Sequence, residues 1–345
     1  MARAILHIGT HKTGTTLIQN TLAANRAALE RAGLIYPAVG VHSGHHALLT
    51  RWLDLAPHYH APADPAELWQ GLARHAHGDG VLLLSSEEFS RAARKRVDLA
   101  EVRAFLAGFE RVEVVCFLRD QPSYLQSIYL EVLKLRTPTP FPALLRRVLD
   151  EGLAAGVHLD YGALHDQFLA AFAPDEITFV DLATARAGPG GVLGALLART
   201  GLAIDPGRLV PVPEDQANVS PEPLAAWMAG VVAAPAPPSP GLIAAARDAL
   251  AAEFAGTAAA EGGRLASTLF TRAERRRLVA HVAPRNAAFE ARVRAVQPGF
   301  ALSPPPEWPA GPAAGPAAGM IWRDDLGAGA WARLARSVWQ AGGGG

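Results

Sequence analysis

Lys12 is the residue whose surroundings most clearly suggest chemistry. It lies in Gly9-Thr10-His11-Lys12-Thr13-Gly14-Thr15-Thr16, a stretch carrying one cation, several hydroxyls and two glycines. That composition suits an oxyanion such as phosphate or sulfate. Lysine supplies charge, Thr13, Thr15 and Thr16 supply O–H donors, and Gly14 lets the backbone approach closely. Two further residues stand where they could act on the same ligand. Arg119 offers a planar fork for two oxyanion oxygens. Glu87 could take a proton as a general base, although Glu87 and Glu88 after Ser85-Ser86 also read as the first turn of a helix capped by a serine; the two readings are compatible. Histidines 42, 45 and 46 form a cluster open to three readings. It could bind a metal, although no acidic residue or cysteine stands at ligand spacing nearby. It could be polar loop surface. Or one histidine, His46 in particular, could line an acceptor pocket beside the reacting group. The site as read requires no metal.

The elements that must hold these residues follow from the hydropathy pattern. An apolar run opens the chain and stops at Gly9, and a helical pattern from Thr15 to about Arg31 follows, with Leu17, Thr21, Leu22 and Leu29 toward the interior. Strand, loop and helix N-terminus is an arrangement that presents free backbone N–H groups. Val81–Leu84 is a continuous apolar run, the mark of a strand buried on both faces, Val112–Leu118 reads as a further buried strand, and Glu87 and Arg119 follow their carboxyl ends. A basic helix is expected between them. Pro122 suits the first turn of the helix after Arg119, and an arginine at a helix start is unfavourable unless an anion is there. Further strands at 34–36 and 177–182, and helices at 65–69, 141–153, 161–168 and 191–200, continue the alternation. The expected class is α/β, three layers with a mainly parallel central sheet.

The loop is not the common nucleotide-triphosphate loop, G-x-x-x-x-G-K-[ST], because Thr15 follows Gly14 and the lysine comes earlier. Lys12-Thr13-Gly14-Thr15-Thr16 instead resembles the K-[ST]-G-T-T loop of sulfotransferases that use 3′-phosphoadenosine 5′-phosphosulfate (PAPS). His11 and Thr13 stand where that family more often has proline and serine. Arg119 and Ser127 have the eight-residue separation of the pair that, in the family, binds the 3′-phosphate. The bacterial, carbohydrate-type branch is the nearest in layout, over about residues 3–300. The resemblance implies a P-loop-like sulfotransferase fold, with PAPS as donor and adenosine 3′,5′-bisphosphate (PAP) as product. It implies His11, Lys12, Thr13, Gly14, Thr15, Thr16, Arg119 and Ser127 on the nucleotide. Lys12 would also act on the leaving group, with Glu87 or His46 as base toward a hydroxyl or amine acceptor, a small molecule or a glycan or lipid-linked sugar. Two readings stand beside it: a P-loop kinase, for which the lysine is misplaced and Arg119 occupies the place of a magnesium-binding acid (Asp120 is adjacent), and a catalytically silent nucleotide-binding protein. Asn218, in Gln216–Pro221, resembles a late Asn-x-Ser stretch of the same branch and is a candidate on the nucleotide side.

Composition narrows the rest. The 345 residues carry 32 basic and 32 acidic side chains, so no overall basic field argues for nucleic acid. The single cysteine, Cys116, lies in an apolar run and reads as core. No membrane span and no signal peptide are apparent, which leads to the expectation of a soluble, cytoplasmic protein. Residues 1–300 are expected to form the sulfotransferase domain, with a proline-rich connection at 231–240 before two C-terminal helices. Thr271 and Glu274 are placed to form a capping box for the second helix. Residues 301–345, rich in Pro, Gly and Ala and interrupted by tryptophans, would be a flexible tail or an arm laid on the surface.

Overall fold

The computed structural model describes residues 2–92, 95–212, 221–257, 265–309 and 319–342. The chain forms two compact units, each assembled from discontinuous segments. The first comprises 1–120, 156–214 and 284–304, and the second 121–155, 215–283 and 305–345.

The first unit is built on a five-stranded parallel sheet. Its strands are β1 (Arg3–His7), β2 (Leu34–Ile35), β3 (Val81–Ser85), β4 (Arg111–Leu118) and, after the two-residue strands β5 (Leu153–Ala154) and β6 (Val157–His158), β7 (Ile177–Asp181). The order across the sheet is β2-β3-β1-β4-β7. Alternation along the buried strands serves two interiors. Ala4, Leu6, Leu82, Leu84, Val112, Val114 and Cys116 face one core, which includes Trp69 and Phe168. Ile5, Leu83, Val115 and Phe117 face the other, filled by Ile18, Leu22, Leu196 and Leu197. Helices therefore cover both faces, the three-layer α/β arrangement expected. The helices are α1 (Thr15–Ala24), α2 (Arg26–Arg31), α3 (Pro65–Leu72), α4 (Leu99–Phe105), α7 (Tyr161–Leu169), α8 (Leu182–Ala187) and α9 (Gly191–Thr200). Cys116 is fully buried, and burial pushes its thiol pKa up, so it behaves as core.

Strand order decides where a ligand can lie. The connection leaving β1 runs to β2 on one side of the sheet, whereas the next strand of this sheet after β4 is β7 on the other. β1 and β4 are neighbours in register, Arg3 with Arg111 through His7 with Val115. Connections that diverge from adjacent parallel strands open a crevice at their carboxyl ends. The loop carrying Lys12 follows β1 there, and Arg119 follows β4.

Two expected helices differ from those observed. The first does not run to Arg31; it stops at Ala24, and Asn25 separates it from α2. The side chain of buried Asn25 gives the reason: its Nδ2 donates to Thr21 O (2.8 Å) and Val210 O (3.0 Å), and its Oδ1 accepts from Val210 N (2.9 Å). The basic helix expected after Glu87 is reduced to α4, which starts only where Asp98 caps it by accepting from Glu101 N at 3.0 Å and whose one arginine is Arg103.

The second unit is helical: α5 (Gln121–Leu135), α6 (Phe141–Glu151), α10 (Pro223–Ala233), α11 (Pro240–Glu253) and α13 (Ala328–Gly342). α12 (Arg272–Arg294) begins in the second unit and ends in the first. Its start carries the expected capping box, with Thr271 N donating to Glu274 Oε2 (2.9 Å) and Glu274 N to Thr271 Oγ1 (3.2 Å). The core is Ala-rich, with Leu224, Met228, Ala246, Leu250, Ile321 and Leu334. Among the C-terminal tryptophans, Trp322 is buried, Trp331 meets Trp227 edge-on at 5.6 Å, and Trp339 is exposed. No helix among the described residues is long and apolar enough to cross a membrane.

Candidate anion-binding and proton-transfer site

The loop after β1 is stitched to β4 before it turns into α1. Ile8 N donates to Val115 O (3.0 Å), Thr10 N to Phe117 O (2.9 Å) and Phe117 N to Gly9 O (2.6 Å). Thr13 Oγ1 donates back to Thr10 O at 2.6 Å, closing the turn. Gly9, Lys12 and Gly14 all have left-handed backbone, at φ 77°, 61° and 91°. For Lys12, a residue with a Cβ, that conformation costs about 1 kcal/mol, and it is held by the ties on either side.

The start of α1 fits an anion. Gly14 is its N-cap and has no side chain with which to satisfy the helix's first N–H groups, and no acidic residue occupies the first turn. A Cβ added at Gly14 would have its nearest neighbour only at 4.0 Å, so the approach is open. Thr13 and Thr15 are buried and Thr16 is exposed. Such a start leaves backbone donors and positive helix-end potential facing outward. Arg119 joins it from β4: its Nη1 donates to Lys12 O at 3.3 Å. The backbone carbonyl of Arg119 in turn accepts a hydrogen bond from the Tyr161 hydroxyl on α7. Two cationic residues thus meet at the ends of adjacent strands. Ser127 lies on α5 in the second unit, where it is buried.

Glu87 stands beside this loop. A Cβ on Gly9 would lie 2.9 Å from Glu87 Cβ, so the glycine permits the approach of the two segments. Ser86 caps the short turn Glu87–Ser90, accepting from Glu88 N at 3.3 Å, as expected for a serine there. Burial pushes the Glu87 carboxyl upward, but His46, His11, its own backbone N–H and a hydrogen bond from Gln19 outweigh burial and hold it below the ordinary glutamate value. It is therefore ionised at neutral pH, a ready but weak proton acceptor.

The histidines divide by role. His45 ties strand end to loop: its Nδ1 accepts from Ser85 N (2.9 Å), which leaves Nε2–H to donate to Pro37 O (2.9 Å). His46 is buried, its Nδ1 is 2.8 Å from Ser86 Oγ, and its ring lies 4.7 Å from that of Tyr59. His42 is exposed and packs against His58 and Tyr59. Burial, opposed by Glu87 and Glu88, lowers the pKa of His46, so it is neutral at pH 7. His11 is likewise lowered, chiefly by burial; its Nε2 is 4.0 Å from Glu88 Oε1 and has no hydrogen-bond partner among the described residues. No group of three or more metal-ligating side chains occurs among the described residues.

The first unit therefore brings together His11, Lys12, Thr13, Gly14, Thr15, Thr16, His46, Glu87 and Arg119. Asn218 lies outside the described residues. Gln19 and Tyr161 carry site contacts that the sequence does not mark, and Ser85, one of the two serines read as a possible cap, instead bonds Gln19 and His7. No spacing rule marks a buried glutamine, and Tyr161 is distant in the chain from the arginine it holds.

No protein-family profile matches the chain, and no curated protein matches it. Among solved structures, the chain is similar to a sulfotransferase from Alicyclobacillus acidocaldarius, at 14% identity and a TM-score of 0.44, over 84% of this chain and 95% of that one. At that identity and score the likeness adds nothing to the geometry above.

Proposed function

We propose that the chain transfers a sulfuryl group from PAPS to a hydroxyl or amine acceptor, a small molecule or a sugar. The observation that carries this reading is the meeting of Lys12 and Arg119 at the carboxyl ends of β1 and β4, beside a helix start with no side-chain cap. A nucleotide bearing both a 3′-phosphate and a 5′-phosphosulfate needs two anion-binding groups at one crevice. The residues fit it: the cradle is open at Gly14, the first turn of α1 carries no acid, and the buried His11 Nε2 has no hydrogen-bond partner among the described residues.

In this reading the backbone N–H groups and hydroxyls of residues 13–16 hold the 5′-phosphate, and Arg119 holds the 3′-phosphate. The nucleotide, when bound, supplies a sulfuryl group attached to a phosphate that can leave. Lys12, fixed by its left-handed backbone, offsets the charge that grows on the departing bridging oxygen. Glu87 accepts the acceptor's proton; its low pKa suits a transfer in which the oxygen or nitrogen loses that proton only as it becomes acidic on bonding to sulfur. His46, neutral and bonded to Ser86, borders Glu87 on the acceptor side. Catalysis is then mainly positioning and charge stabilisation.

Incubation with radiolabelled PAPS and a panel of sugar, aliphatic and phenolic hydroxyls tests the reaction. Label should move to an acceptor class with wild type. Lys12→Ala and Glu87→Gln should each lower the rate by roughly 10²-fold or more. Failure of wild type to transfer label to any of them, with PAP binding intact, would favour a nucleotide-binding role without transfer.

A further inference from the structure

Gln19 lies on α1, five residues beyond the glycine that opens the cradle, and its side chain is buried. Its carboxamide nitrogen donates to Glu87 Oε2 at 3.1 Å and to Ser85 Oγ at 3.2 Å. Ser85 is in register with His7 across β3 and β1, and its Oγ is 2.8 Å from His7 Nδ1. The other side of the amide is walled by backbone: a Cβ on Gly44 would lie 2.7 Å from Gln19 Cδ and Oε1, and equally from His46 Nε2. The amide is therefore fixed on both sides, and its two hydrogens can serve the serine and the carboxylate. Neither leucine nor glutamate, of similar size, could donate both bonds.

We propose that Gln19 is a positioning residue that ties the Glu87 carboxylate to α1, so that the helix whose N-terminus forms the anion cradle also sets the proton acceptor. A buried glutamine that merely satisfied the core would need no carboxylate partner; here one of its two donors is directed at Glu87. The proposal rests on Glu87 as the proton acceptor in the reading above. The titratable groups that bear on Glu87 are His11 from the loop after β1, His46 from the turn at 46–51, His7 from β1, and Tyr36 following β2. Gln19 is the one neutral side chain on α1 that bonds it.

The test uses the full chain with glutamate side-chain carboxyls carrying carbon-13, the Glu87 signal being assigned by its loss in Glu87→Gln. In Gln19→Leu the Glu87 titration should move to higher pH, because a donor to the charged form is gone. In Gln19→Glu it should move further, because a like charge replaces the donor. Turnover in Gln19→Leu should fall roughly tenfold, while KM for PAPS stays within about twofold. An unchanged Glu87 titration in both variants overturns the proposal whatever the reaction. Absence of sulfuryl transfer in wild type would instead overturn the reading of the reaction, and the titration would still decide the role of Gln19.

Discussion

Lys12 and Gly9 illustrate how much of this site depends on backbone conformations that few residues adopt. Both have positive φ, and Gly9 also has Glu87 Cβ 2.9 Å from where its own Cβ would be. Gly9→Ala should therefore displace either the loop or Glu87. We expect a stability loss of about 1–3 kcal/mol and a fall in turnover larger than the fall in PAP affinity, measured by denaturant unfolding and by calorimetric titration; unchanged stability would contradict the close approach. At this scale the cationic residues are legible in sequence because lysine among glycines and threonines, and arginine after an apolar run, are unusual combinations. Glu87 is legible for a similar reason, since it follows a strand end. Gln19 is not, because its role comes from contacts with residues 66 and 68 positions away. The three neighbouring histidines share a sequence neighbourhood but not a function: His45 is a tie between strand and loop, whereas His46 borders Glu87.

β3 is legible because burial on both faces leaves the uninterrupted run Val81–Leu84, β4 because Val112–Leu118 is apolar apart from Glu113, and the helix α9 because Gly201 in the left-handed conformation ends it. The first helix is where periodicity misleads. Its apolar pattern continues to Leu29, but Asn25 diverts its hydrogen bonds to Thr21 and to Val210, remote in sequence, and the helix breaks there. Tertiary partners overrode local propensity. Asn25→Ala removes all three bonds, two of them to the 210 segment, and should cost about 1–3 kcal/mol by urea unfolding. A gain in stability would mean that the break is unsupported by these contacts. Similarly, arginines between 91 and 96 suggest a basic helix, yet Arg91 bonds the carboxylate of Glu88 and its carbonyl accepts from Gln167, partners supplied by the surrounding structure.

For the whole molecule, buried titratable groups give opposing responses to acid. Burial pushes His7 and His45 down to about 4 from 6.5. Between those values the unfolded chain binds protons that the folded chain refuses, so stability is present above pH 6.5 and is lost toward pH 4, by roughly 3 kcal/mol each at most. Glu222, the N-cap of α10, opposes this: burial raises it to about 7 from 4.5 despite hydrogen bonds from Ala225 and Leu224, so acidification relieves a cost that it carries near neutrality. The thermal midpoint should fall between pH 6.5 and 4, and Glu222→Gln should make that fall steeper; a flat profile in both would contradict the buried neutral state of the two histidines. The sheet order, however, is what places Lys12 and Arg119 at one crevice, and no sequence pattern reveals strand order. The most direct test of that crevice is thermal stabilisation by adenosine 3′,5′-bisphosphate, compared with the 2′,5′ isomer and with magnesium–ATP, in wild type and Arg119→Ala. Stabilisation selective for the 3′,5′ isomer, largely lost in Arg119→Ala, is expected. Equal stabilisation by both isomers, or a preference for magnesium–ATP, would contradict it.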